Sequence, residues 1–193
     1  MKRFYLLLAL LQALLIIAGL TGCGGSSLSR NEYTIATGSK SGVYFPIGEA
    51  LGMILKKAFP DVALKVVETA GSVENLQMLR DGKVDLALVQ NDIAFYAVEG
   101  EAMFNGQKIT NVTGIATLFP EVVQIIVRKE TGIKALADLA GRKIAVGSKD
   151  SGTFYNAQQL LTVAKVWEQV DHQYVNAGEA MKEMQEGRID GFI

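Results

Sequence analysis

One polar phrase occurs twice in the chain, as Gly38-Ser39-Lys40-Ser41-Gly42 and as Gly147-Ser148-Lys149-Asp150-Ser151-Gly152. Each copy follows a short apolar run and leads into a segment with helical apolar spacing. Glycines let a ligand approach the backbone, hydroxyls add donors, and a helix start presents unpaired N–H groups carrying about half a positive charge. Such residues suit non-covalent capture of a carboxylate or phosphate. Gly71-Ser72-Val73 opens a further expected helix at the same sheet edge, and Gln90 ends an apolar strand there. The candidate ligand-binding residues are Gly38, Ser39, Gly42, Tyr44, Gly71, Ser72, Gln90, Ser151, Gly152 and Thr153. A single Ser-Gly turn reads equally well as ordinary capping. Repetition of the phrase at matching places favours a site.

Covalent chemistry finds little support. His172 is the only histidine and has no Cys partner, and Glu49 and Glu68 stand isolated. There is no metal-ligand spacing, no Walker-type phosphate loop and no Gly-x-Ser-x-Gly elbow. Neither an enzyme, a cofactor nor a metal is expected. A net charge of −1 gives no electrostatic reason to expect nucleic acid. Lys40 and Lys149 read as solvated or as aids to an anion. Tyr44, Phe45, Phe154 and Tyr155 read as pocket walls or as core.

The elements that must position these residues alternate. Strands are expected over residues 33–37, 62–67 and 84–89, with helices over 46–59, from Ser72 as cap to Gly82, and over 93–99. Residues 112–118 and 122–128, separated by Phe119-Pro120-Glu121, read as strands that carry the chain into a second unit. There a short helix over 135–139, a strand at 143–146, a helix over 151–167, a strand at 170–175 and a helix capped by Asn176 with Glu179 repeat the pattern. A Gly-basic-apolar-Asp phrase closes each unit, at Gly82-Lys83-Val84-Asp85 and Gly187-Arg188-Ile189-Asp190. Both aspartates open strands at the edge away from the candidate site, and neither is given a site role. The fold class is α/β, two facing lobes with right-handed crossovers. The chain ends at Ile193 inside an expected core strand, which reads as a truncation of the second lobe.

At the other end, Lys2 and Arg3 precede an apolar run from Phe4 to Leu20, then Thr21-Gly22-Cys23. This is an export signal, and its last four residues resemble a bacterial lipobox. Residues 1–22 are then a lipoprotein signal peptide, with Cys23 lipidated in a bilayer, and 23–32 a flexible tether. Residues 33–118 form the first lobe and 119–193 the partial second lobe. Cys23 is the only cysteine, so no disulfide is expected.

Thr37-Gly38-Ser39 through Gly42-Val43-Tyr44-Phe45-Pro46-Ile47-Gly48, Glu68 through Asn75, and Leu136 through Lys143 to Ser151-Gly152-Thr153 together resemble the TAXI solute receptors of TRAP (tripartite ATP-independent periplasmic) transporters. Ser39 stands where many members have Gly, and Gly191-Phe192 where many have an aromatic pair. The resemblance implies a periplasmic-binding-protein-like (type II) fold with hinge strands and an extracytoplasmic lipoprotein. It also implies a small carboxylate solute, glutamate or a dicarboxylate, handed to integral-membrane TRAP permease subunits. Ser39, Tyr44 and the Ser72 helix would hold the solute, and Ser151-Gly152-Thr153 would close over it. A receptor for an ATP-driven importer, or an exported enzyme on the same scaffold, are the competing expectations.

Overall fold

The computed structural model describes residues 30–193; the expected signal peptide and Cys23 lie outside the described residues. The elements run β1 (Glu32–Ala36), α1 (Tyr44–Ala58), β2 (Ala63–Val67), α2 (Ser72–Arg80), β3 (Leu86–Ala87), α3 (Asn91–Glu99), β4 (Ile126–Val127), β5 (Lys143–Ala145), α4 (Gly152–Val163), β6 (Asp171–Gln173), α5 (Ala177–Gln185) and β7 (Gly191–Phe192). The first sheet has the order β2-β1-β3, all parallel. The second has β6-β5-β7, again parallel, with β4 added antiparallel to β7. The repeated phrase is thus a repeated topology, and it places both copies at the C-terminal end of a central strand.

The two closing phrases perform the same structural task. Asp85 accepts the Thr34 N–H at 2.7 Å and its hydroxyl at 2.9 Å, pinning β3 to the start of β1. Asp190 accepts the Lys143 N–H at 3.0 Å and an Arg128 guanidinium N–H at 3.2 Å, pinning β7 to β5 and to β4. Each phrase also ends its helix identically. Gly82 and Gly187 sit at φ +66° and +72°, and the next residue donates back five positions, Lys83 to Met78 and Arg188 to Glu183. A residue with a Cβ pays for that left-handed turn, which is why glycine stands there.

Apolar packing follows the two halves. Leu139, Ile144, Val146, Ala157, Leu161, Val166 and Val170 form one core around β5 and α4. Val73, Leu76, Ile93, Ala97, Phe104 and Ile109 form another around α2 and α3. Tyr155 of α4 packs against this second cluster, so it belongs to the contact between halves and not to a pocket wall. On the other side of the first sheet, α1 approaches so closely that a Cβ on Gly48 would lie 2.6 Å from Thr37 Cγ2.

Several expectations need correction. Of the two extended stretches expected to cross between units, only Ile126–Val127 enters a ladder. Residues 112–118 stay outside one, because β structure needs a partner strand and none lies beside them among the described residues. The helix at 46–59 begins earlier, at Tyr44, with Pro46 still inside the first turn where its missing N–H costs nothing. The helix expected to reach 167 ends at Val163, where Lys165 turns left-handed. Ser72 does not cap its helix: Gly71 is the cap residue, at φ +135°, and the buried Ser72 hydroxyl points elsewhere. Asn176 and Glu179 do form a reciprocal capping box.

Candidate functional site

A cleft of about 700 Å³ opens at the C-terminal ends of both sheets' strands, and all ten candidate residues line it. Open α/β sheets present their loops at that edge. The first loop is a tight turn in which Gly42 N–H donates to the Ser39 carbonyl at 2.9 Å, with the Ser39 and Ser41 hydroxyls 3.0 Å apart. In the second, the Ser151 hydroxyl donates to the Ser148 carbonyl at 2.6 Å and accepts the Phe154 N–H at 3.0 Å. Ser151 therefore acts first as the cap of α4. Gly147, at φ +91°, allows the loop to close on α4, since a Cβ there would sit 2.9 Å from Phe154 N.

Behind the cleft lies a fully buried polar network. Asn75 Nδ2 donates to the Thr37 carbonyl at 2.6 Å and to the Leu88 carbonyl at 2.7 Å, while Thr69 Oγ1 donates to Asn75 Oδ1 at 2.6 Å. Thr37 Oγ1 in turn donates to the Val67 carbonyl at 2.7 Å. These bonds tie together the C-terminal ends of β1, β2 and β3, from which Gly38, Ala70 and Gln90 enter the cleft.

A second chain of bonds runs along the wall. The Gln90 N–H donates to Ser72 Oγ at 3.0 Å, Ser72 donates to the Tyr44 phenol oxygen, and Tyr44 donates to Glu121. Burial, then the Glu121 charge, push the Tyr44 phenol well above its usual range, so it stays protonated as a donor. Partial burial pushes the Glu121 carboxyl up; the Tyr44 hydrogen bond opposes that shift and the charge of Asp92 adds to it. Phe119 meets Tyr44 edge-on, ring centroids 6.4 Å apart.

The structure separates the other candidates from the cleft. Lys40 pairs with Glu68 at 3.6 Å and lies over Phe45, and Lys149 lies over the Tyr174 ring. Phe154 packs against the core around β5 and α4, beside Tyr155 and Trp167. The third helix start is also not open to an anion as expected, because Val73 and Glu74 N–H groups donate to the Asp150 carbonyl at 3.1 and 3.3 Å. Among the described residues, no group of three or more His, Cys, Asp or Glu is placed to hold a metal.

Sequence reasoning missed Glu121, Phe119, Asn156 and Asn176, all on the lining. Asn176 begins α5 as Gly71 begins α2, so the duplication pointed to it. Glu121 lies in the unrepeated connection, where no pattern marks it.

A doubly built α/β unit with its cleft at the strand ends defines a periplasmic-binding-protein-like fold. The chain belongs to the NMT1-like family, whose model matches residues 35–193. It is similar to the alkanesulfonate-binding protein SsuA from Xanthomonas axonopodis pv. citri bound to MOPS, at TM-score 0.59 and 19% identity, covering 84% of this chain and 54% of that one. The periplasmic aliphatic sulphonate-binding protein SsuA from Escherichia coli gives 0.51 and 21%, covering 85% and 54%. A putative L-cystine ABC transporter protein from Listeria monocytogenes gives 0.54 and 15%, covering 84% and 68%. The chain spans about half the length of the two sulfonate-binding proteins.

Proposed function

We propose that this protein is an extracytoplasmic solute receptor, a lipoprotein anchored through Cys23, that captures a small carboxylate between lobes 33–118 and 119–193. One observation carries the reading: all ten candidate residues, members of both copies of the repeated phrase among them, line a single cleft. Ser39 and the amides beginning α1 and α4 supply donors, and Thr153 reaches in from the second lobe. Closure bends the connection near residues 119–128. The acceptor of the solute is a TRAP-type permease, in keeping with the sequence resemblance. The L-cystine ABC protein among the similar structures favours a second reading, delivery to an ATP-driven importer.

Thermal melting of the chain with Cys23→Ser, alone and with amino acids, carboxylates, sulfonates and phosphate, tests the capture. A solute at a hundred times its Kd adds about 2.7 kcal/mol and raises the midpoint. A selective rise that Thr153→Val reduces is the expected outcome, and a cooperative melt that no solute moves counts against the cleft. Uptake into vesicles separates the delivery routes: collapse of the ion gradient stops a TRAP permease, and ATP depletion with the gradient intact stops an importer of the other kind.

A further inference from the structure

We propose that the solute carries an ammonium or another cationic nitrogen, and that Glu121, held by Tyr44, is the residue that binds it. This rests on the solute-receptor reading above and names the chemistry of the same cleft. Among the described residues, Glu121 is the one acidic residue on the lining, and no Lys, Arg or His lies on it. The two lysines nearest in sequence to the loops are turned to Glu68, Phe45 and Tyr174 instead. A carboxylate has about four lone-pair positions, and the Tyr44 hydroxyl fills one of them. Glu121 is exposed on the lining, and the charge that neighbours it, Asp92, is also negative.

A dicarboxylate placed here would meet like charge at Glu121, unfavourable even in water and more so in a partly dry cleft. A solute nitrogen bearing positive charge would meet a carboxylate and the rings of Tyr44 and Phe119, an environment that favours cations. The same lining also holds Gly38, Ser39, Gly147 and Ser148, which bring uncharged donors at helix starts. A cleft that combines a carboxylate with uncharged donors selects a molecule carrying both signs.

Titration calorimetry with matched pairs of probes tests this, each pair differing only in an amino group: glutamate with glutarate, and leucine with 4-methylpentanoate. Diamines, dicarboxylates and sulfonates complete the set, on the wild-type chain and on Glu121→Gln. The expected result is an amino-bearing probe that binds the wild type at least tenfold tighter than its deaminated partner. Glu121→Gln then weakens that probe tenfold or more and leaves the partner within threefold. A deaminated probe, dicarboxylate or sulfonate that binds the wild type as tightly as any amino-bearing one overturns the proposal and leaves the receptor reading standing. An amino preference that survives in Glu121→Gln does the same. Binding of no probe by either form overturns both.

Discussion

Asn75 carries more of this structure than its polarity suggests. It has no exposed surface, and its amide bonds the Thr37 and Leu88 carbonyls and the Thr69 hydroxyl at once. Buried carbonyls left without donors cost about 1–3 kcal/mol each, and bonds in a dry network reinforce one another. Asn75→Leu preserves volume and removes the donors, so urea denaturation should show a loss of about 3 kcal/mol with an unchanged slope. A loss under 1 kcal/mol would mean that water or Thr69 re-satisfies the carbonyls. Ser72 illustrates the same economy at the cleft wall. A Ser at a helix start reads as a cap, yet its hydroxyl links the Gln90 amide to Tyr44. Propensity described the residue type correctly, and the tertiary neighbours decided the partner.

Among the elements, the duplication is where sequence and structure agree most closely. Apolar runs, Gly-Ser turns and the Gly-basic-apolar-Asp phrase are local signals, and each reappears as a central strand, a loop and a strand staple. The connection from 100 to 128 was much less legible, since it has no repeat and its extended residues depend on partners remote in sequence. Glu121 was overlooked for that reason. The strand staples make a prediction about pH. Burial opposes charge on Asp190, but the Lys143 amide and the Arg128 guanidinium outweigh it and hold its carboxyl below the usual range. A carboxyl lowered in the fold contributes stability that is present above its unfolded value, near 3.9, and is lost as pH falls through the folded value. Chemical denaturation between pH 6 and pH 2.5 should therefore show the wild type losing stability faster than Asp190→Asn. Parallel curves would mean that Asp190 keeps its ordinary affinity for protons in the folded chain.

Among the described residues, contacts join the two halves, and one of them lies where the two copies of the repeat differ. Asp150 is the residue that the second loop has and the first lacks. It stands at φ +63°, and its carbonyl takes the Val73 and Glu74 amides at the start of α2. At other points between the halves, Ser41 donates to Asn176 Oδ1 at 3.1 Å and accepts the Gly178 N–H at 3.1 Å, and Gln159 reaches the Tyr96 hydroxyl at 3.1 Å. Glycines make this approach possible: a Cβ on Gly152 would lie 1.3 Å from Gln90 Oε1, and one on Gly178 2.6 Å from Ser41 Cβ. Helix α2 therefore spends its first amides on closure, leaving anion capture to other donors. Removing Asp150 would make the second loop the length of the first and withdraw the carbonyl, whereas Asp150→Gly keeps the carbonyl in a backbone conformation glycine adopts freely. Deletion should expand the molecule in small-angle scattering and speed hydrogen exchange at Val73 and Glu74, while Asp150→Gly should match the wild type in both. Solute affinity should fall with deletion by the fraction of closed form lost. A deletion variant that stays as compact as the wild type, with those two amides still protected, would show that the remaining contacts close the halves without it.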